Sequence, residues 1–268
     1  MVELEHARAM LSDMGLSTSA HLLDAQIERS TGSHHTYAQF LDELLSFEKQ
    51  ERDRKNLEFR IRRAHLPYVR RIEEFDFSFQ PSIDKRLVDE LATTAFAKRG
   101  ENVILLGPPG VGKTHLAVGL AMKVLEDGMS VNFTTLAHMI MDLEHSASAR
   151  RWSTYRNPAL LIIDEVGYMQ LDRSQAEILF RIVAERYEQG SIIFTSNKYF
   201  SDWGELLNDS VIATAVLDRL LHHAHVINIR GQSYRLKDRL AAGAFSPASE
   251  PSGGKRTGAK EPGDFGHF

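Results

Sequence analysis

The chain contains no cysteine. That excludes thiol nucleophiles, thiolate zinc sites and iron–sulfur clusters, and it fits a reducing cytoplasm. Long apolar runs are also missing. The clean run Ala159–Ile163 falls far short of the roughly 20 residues that a membrane span needs. Met1 to Ser30 carry charges throughout and have no apolar core, so they do not read as a secretory signal. A cytoplasmic location and no membrane partner are therefore expected. Net charge is only −4, so the chain-wide balance gives no nucleic-acid signal. Proline is absent before Pro67, which leaves the N-terminal quarter free to be helical.

What is present is ordinary in amount and uneven in placement. The 268 residues are 43% hydrophobic and 25% charged, enough for one large domain or two small ones with a core that needs no staples. Residues 1–48 hold two arginines against eight carboxylates, a net of −6. Residues 49–71 hold nine lysines and arginines against three carboxylates, a net of +6. Such a basic stretch could neutralise phosphates. It could equally be a solvated helix face, paired internally at three- and four-residue spacing.

Hydrophobic periodicity divides the chain. Residues 1–64 read as a small helical bundle, with Gly15 and Gly32 as breaks and Phe40, Leu41, Leu44, Leu45 and Phe47 as one apolar stripe. Residues 65–83 read as a linker in which Phe75, Phe77 and Phe79 alternate with polar residues in an extended pattern, covering a pocket or packing between domains. From Asp84 to about 240, helices and strands alternate. A helix is expected over 84–98, capped by Ser82, and others over 113–127, 174–189 and 209–222, with a helical stretch from Leu136. Strands are expected over 102–106, 130–134, 159–163, 191–195 and 225–229. Continuous apolar strands separated by helices predict an α/β fold with a parallel sheet covered on both faces. Residues 241–268 lack Leu, Ile and Val and hold six glycines and three prolines, so they read as a disordered tail.

One motif carries specific chemistry. Gly107-Pro108-Pro109-Gly110-Val111-Gly112-Lys113-Thr114 fits G-x-x-x-x-G-K-[ST], follows a predicted strand and opens a predicted helix. Its glycines let backbone N–H groups cradle phosphate, and the helix N-terminus adds positive potential. Lys113 should reach the β- and γ-phosphates and Thr114 should ligate Mg²⁺, with His115 just inside the helix. The strand Leu160–Ile163 ends in Asp164, placed for the Mg²⁺ shell, and Glu165, placed to polarise an attacking water. A second apolar strand ends in Thr195-Ser196-Asn197, whose amide could orient that water. The alternative for Asn197 is an ordinary Asx turn.

These motifs together resemble AAA+ ATPases. More narrowly, Phe75–Asp84, Leu217-Asp218-Arg219-Leu220 and Gly231-Gln-Ser-Tyr-Arg235 resemble the IstB-like ATPases, transposition helpers of insertion sequences, and their relatives the DnaC helicase loaders. The resemblance spans about His6 to Leu240. It implies an AAA+ P-loop core with a truncated lid, since only about 30 residues follow Arg235. It implies that Asn197 is sensor 1, Arg235 the sensor-2 arginine, and Arg219 an arginine finger offered to ATP on a neighbouring subunit of a homo-oligomer. It implies that the stretch 136–157, with Arg150, Arg151 and Arg156, faces DNA. The basic stretch, with Arg60, Arg62 and Arg63, is a second candidate DNA contact.

The function so implied is an ATP-dependent, Mg²⁺-dependent ATPase that assembles on double-stranded DNA and recruits or activates a transposase. A DnaC-like loader, acting on a replicative helicase and single-stranded DNA, is the alternative, and a small-molecule P-loop kinase fits the acid pair less well. Among twelve histidines, the pair His222 and His223 should point about 100° apart on a helix, with no third ligand at zinc spacing, which reads as surface.

Overall fold

The computed structural model describes residues 2–144 and 148–234. Five strands form one parallel sheet: β1 (Asn102–Leu106), β2 (Val131–Thr135), β3 (Leu160–Val166), β4 (Ser191–Ser196) and β5 (Ala224–Asn228), in the order β2-β3-β4-β1-β5. Every residue of β1 and β4 is buried. Alternate side chains along each strand enter opposite cores. Val103, Leu105, Ile162 and Ile193 pack with Leu116, Leu120 and Val124 of α6 (Lys113–Glu126). Ile104, Leu161, Ile163 and Phe194 face α7 (Leu136–Glu144), α9 (Arg173–Arg186) and α11 (Ser210–His222), with the short α10 (Trp203–Leu206) beside them. β1 lies between β4 and β5, yet the chain leaves it for β2 at the far edge. Open α/β sheets bind ligands at the carboxyl ends of strands beside such a reversal.

The strands match the sequence reading to within a few residues. Three local expectations do not hold. The helix expected over 84–98 is two helices, α4 (Lys85–Leu91) and α5 (Ala95–Arg99). Between them Thr94 adopts a left-handed backbone (φ 66°) and donates its hydroxyl to the Asp127 carboxylate at 2.6 Å. The N-cap is Asp84, which accepts the Arg86 N–H at 2.9 Å, while Ser82 Oγ accepts the Arg230 N–H. The phenylalanine segment is not extended. A 3₁₀ turn spans Ile72–Glu74, and the Asp76 carboxylate accepts from the Phe79 N–H (3.1 Å) and Ser78 Oγ, which curls the chain.

The N-terminal helices are α1 (Val2–Asp13), α2 (Ser17–Gly32) and α3 (Tyr37–Arg63). Only part of the expected stripe on α3 turns inward. Leu44 is buried, but Leu41 and Leu45 are 52% and 43% exposed. They lie one residue, about 100°, beyond the line Phe40–Leu44–Phe47, out of reach of α2. The buried Glu48 carboxylate accepts the Ser19 N–H in the first turn of α2 at 2.9 Å, where the helix dipole favours an anion. The C-terminal half of α3 then docks on the core. Leu57 and Ile61 pack against it, Arg60 Nε donates to the Leu125 carbonyl near the end of α6 (3.0 Å), and the Ala64 carbonyl accepts the Phe133 N–H of β2 (2.8 Å). Along the chain, α8 (Ala149–Arg156) follows α7 and precedes β3.

Candidate functional site

The loop after β1 turns back on itself at Gly110 (φ 82°) and Gly112 (φ 101°), conformations that L side chains rarely adopt. A Cβ on Gly112 would lie 2.6 Å from the Phe75 ring, and one on Gly110 would collide with Ser233. The loop is therefore clasped from outside by two segments distant in sequence. Lys113, only 8% exposed, donates from Nζ to the Gly107 and Pro108 carbonyls (2.7 and 2.8 Å). Val111 is wholly buried in the core, and the Gly107 N–H donates to the Ser196 carbonyl (3.1 Å), so these residues form the floor of the loop. His115 hydrogen-bonds the Arg71 carbonyl through Nε2 (3.1 Å) and sits edge-on to Phe75, ring centroids 5.3 Å apart.

The acid pair sits across from the loop. β3 and β4 run in register through Ile163–Phe194 and resume at Val166–Ser196, so Asp164 and Glu165 oppose the single residue Thr195. This bulge sends the two carboxylates to different places. Asp164 is buried (5% exposed) and accepts the Thr114 hydroxyl, which lies 3.1 Å from both of its oxygens. Glu165 is exposed in the cleft with φ 62°. Thr195 joins them: its hydroxyl donates to Asp164 and accepts the Glu165 N–H at 3.1 Å. A left-handed glutamate costs on the order of 1–3 kcal/mol, and such strain gathers where a side chain must be aimed. Thr195 is a positioning residue that the sequence reading did not single out, since its role depends on the bulge.

Pro109, Gly110, Gly112, Lys113, Thr114, His115, Asp164, Glu165 and Thr195 line a cleft of about 470 Å³. Its remaining wall was not foreseen and comes from Tyr68, Arg70, Glu74, Asp76, Tyr168 and Tyr234. Arg70 donates to Glu74 at 2.8 Å and holds that carboxyl below its usual range. Tyr234 donates to the Asp76 carbonyl (2.5 Å), and its phenol is raised by partial burial and then by the Asp76 charge. Phe79 stacks near Tyr234, centroids 4.4 Å apart. Of the two roles open to the phenylalanine segment, Phe75 and Phe77 pack into the core beneath the loop, and their neighbours form the cleft wall.

Other candidates fall elsewhere. Asn197 does not line the cleft. It lies directly behind the turn after Glu165, beside Gly167, with Oδ1 buried and without a hydrogen-bond partner among the described residues. Arg219 sits on α11 with its guanidinium 4.9 Å above the Phe180 ring and a bond to the Ala215 carbonyl (3.0 Å), outside its own chain's cleft. Arg235 and the tail 241–268 lie outside the described residues. Arg60, Arg62, Arg63 and Arg150 converge on one groove of about 630 Å³ between the end of α3 and α8, although 90 residues separate the two segments' arginines Arg60 and Arg150. Arg151 instead pairs with Asp142 (2.9 Å), and Arg156 bonds the neighbouring Asn157.

His222 and His223 do not share a helix end in the expected way. α11 ends at His222, and His223 leaves helical geometry (φ −131°, ψ 80°). The 100° separation therefore does not hold: the two rings lie 4.1 Å apart, and Glu188 supplies a carboxylate beside them.

Comparison with known proteins agrees with the loop and the fold. The family model for IstB-like ATP binding proteins matches residues 9–242. A Pseudomonas aeruginosa protein named for ATP binding in insertion sequence IS21 is 43% identical over 94% of this chain and 95% of its own length. A Geobacillus stearothermophilus protein named likewise for insertion sequence IS5376 is 41% identical over 84% of this chain and 91% of its own. Among solved structures, DnaI is 21% identical over 61% of this chain and 89% of that chain, with a TM-score of 0.51. DnaA bound to AMPPCP and single-stranded DNA is 17% identical over 69% and 58%, with a TM-score of 0.50. At these identities the structural likeness speaks for the AAA+ fold alone. With nearly the whole chain matched and the phosphate loop, acid pair and parallel sheet in place, the chain belongs to the family of IstB-like ATP-binding proteins.

Proposed function

We propose that this chain hydrolyses ATP, assembles with copies of itself on duplex DNA while ATP is bound, and recruits or activates a transposase, hydrolysis resetting the assembly. The observation that carries the ATPase reading is the Thr114–Asp164–Thr195–Glu165 arrangement beside Lys113. A hydroxyl and a buried carboxylate are hard oxygen donors, which suits Mg²⁺. Thr114 and Asp164 would hold it, and bound there it would neutralise charge on the phosphates. Glu165, exposed and fixed at its backbone, accepts a proton from the attacking water. Lys113 binds the β- and γ-phosphates, and the loop N–H groups orient them. On the family resemblance, Asn197 would orient the water as sensor 1, and Arg235 would serve as the sensor-2 arginine. The cleft wall, Tyr68 to Asp76, would face the rest of the nucleotide.

Three features support the wider reading. Arg219 does not line its own chain's cleft, as expected of a residue serving a neighbouring subunit. Arg60, Arg62, Arg63 and Arg150 share a groove suited to phosphates, and Arg151 and Arg156 lie on the same helix as Arg150. The relatives named above are named for insertion sequences, which supports a transposase as partner, and residues 1–64 are the surface we assign to it. Residues 84–240 then form the ATPase unit behind a 65–83 linker.

Fluorescence anisotropy with duplex and single-stranded oligonucleotides, at one salt concentration and with ATP, ADP or no nucleotide, tests this. Sequence-tolerant duplex binding that requires ATP is expected, and Lys113→Ala should abolish that ATP-dependent binding; unchanged binding would break the coupling. A preference for single strands would instead favour a helicase loader. Alanine at Arg62, Arg63 or Arg150 should weaken binding to all duplexes alike and lower the salt slope by about one each; unchanged slopes would move DNA off this groove. Arg219→Ala should cut phosphate release by about 10³-fold with nucleotide affinity unchanged. Mixing it with Lys113→Ala should restore part of the activity in trans, and normal hydrolysis by Arg219→Ala alone would refute the finger.

A further inference from the structure

We propose that Glu188, His222 and His223 form a binding site for one divalent transition-metal ion of the zinc class, where the turn between α9 and β4 meets the end of α11. One candidate donor atom from each residue lies within 4.8 Å of the other two. Tetrahedral zinc, with bonds of about 2.0–2.2 Å, sets its donors roughly 3.3–3.5 Å apart. All three side chains are exposed, so rotation about their own χ angles closes that gap without disturbing the core. Exposure also provides the entry path that a metal site requires.

The donor set selects the ion. Two imidazoles and one carboxylate suit Zn²⁺, Co²⁺ or Ni²⁺, whereas Mg²⁺ and Ca²⁺ take oxygen ligands almost alone. Three protein ligands leave the fourth position of a tetrahedron to water. An outer partner is already in place: the Tyr187 phenol lies 2.8 Å from His222 Nδ1. With Nδ1–H donating to the phenol oxygen, the Nε2 lone pair is left for the metal. Asp218 adds negative charge nearby and Arg219 opposes it. His225, the next histidine along the chain, is engaged elsewhere, with Glu101 at 2.9 Å.

The ion would bridge Glu188 and the His222–His223 pair across 34 residues of chain, clipping the last turn of α11 to the end of α9. Binding that requires the folded arrangement stabilises the fold. None of the three residues lines the chain's own nucleotide cleft.

The test uses the full chain without a histidine tag, in millimolar Mg²⁺ so that hard-oxygen sites are occupied. Zn²⁺ is titrated by calorimetry and Co²⁺ by visible absorption, with thermal unfolding followed in parallel. One equivalent should bind, with a tetrahedral Co²⁺ spectrum and a higher unfolding midpoint. His223→Ala and Glu188→Gln should each weaken binding at least about tenfold, and Tyr187→Phe about tenfold, the size seen for lost outer-shell partners. The double variant His34→Ala/His35→Ala, at the other histidine pair, should bind as the parent does. Absence of Zn²⁺ binding, binding unaffected by His223→Ala, or binding lost equally in the His34/His35 variant would overturn the site.

Discussion

Glu165→Gln should bind ATP with near-normal affinity and hydrolyse it about 10²–10⁴-fold more slowly. The substitution keeps the size and branching of the side chain and removes only its ability to take a proton. Its backbone is held independently, by the N–H bond to Thr195 and by the bulge opposite that residue. The left-handed φ of 62° is no harder for Gln than for Glu, so the fold should be indifferent to the change. Because Glu165 is exposed, its stability effect should stay within about 0.5 kcal/mol. Slow hydrolysis should in turn prolong the ATP-bound, DNA-bound assembly. Single-turnover phosphate release and nucleotide affinity measured on the same variant separate the two effects. A normal rate would remove Glu165 from its role and shift attention to Asp164 and Asn197.

Arg186→Leu should lower stability by about 3–5 kcal/mol, enough to leave much of the protein unfolded at growth temperature. Arg186 is 1% exposed and, among the described residues, has no carboxylate partner. Its guanidinium donates instead to the carbonyls of Tyr155, Arg156, Pro158, Ala159 and Ser191, at 2.7 to 3.4 Å. The first two belong to the last turn of α8, where unpaired carbonyls and the negative end of the helix dipole await a cation. The others fix the starts of β3 and β4, the strands that carry Asp164 and Thr195. Burial pushes the guanidinium pKa down to about 10, so it stays charged at neutral pH. Leucine would fill the space but strand these buried carbonyls, each at a cost of about 1–3 kcal/mol before relaxation. Chemical denaturation with the linear extrapolation slope held in view would measure it. A loss below about 1 kcal/mol would show that water can replace the guanidinium.

Arg186 also shows a signal that was in the sequence and went unread. It follows Leu179, Ile182 and Val183 at helical spacing, on the buried face of α9. A cation on an apolar stripe asks for a partner, and an absent carboxylate points to helix-end carbonyls. The split of the helix over 84–98 was less legible. Its cause is the Thr94–Asp127 bond, made across 33 residues, which no local propensity records. The aromatic segment misled for a related reason: alternation suggested a strand, but Asp76 bonds its own backbone three residues on and turns the chain.

By itself, the sequence determined the α/β class, the five strands and the phosphate loop, because each is written in local chemistry: apolar runs of strand length, helix periodicity and glycines where the backbone must curl. It also determined the pairing of that loop with Asp164 and Glu165, since strand ends in a parallel sheet open onto one edge. The tertiary structure alone decided the bulge that separates the two carboxylates, the tyrosine and Arg70 wall of the cleft, the joining of α3 and α8 arginines into one groove, and the meeting of Glu188 with His222 and His223. Those features depend on register and on contacts between residues 30 to 90 positions or more apart. Such contacts exist only once the chain has packed, when burial and hydrogen bonding select one arrangement from the many that local preference allows.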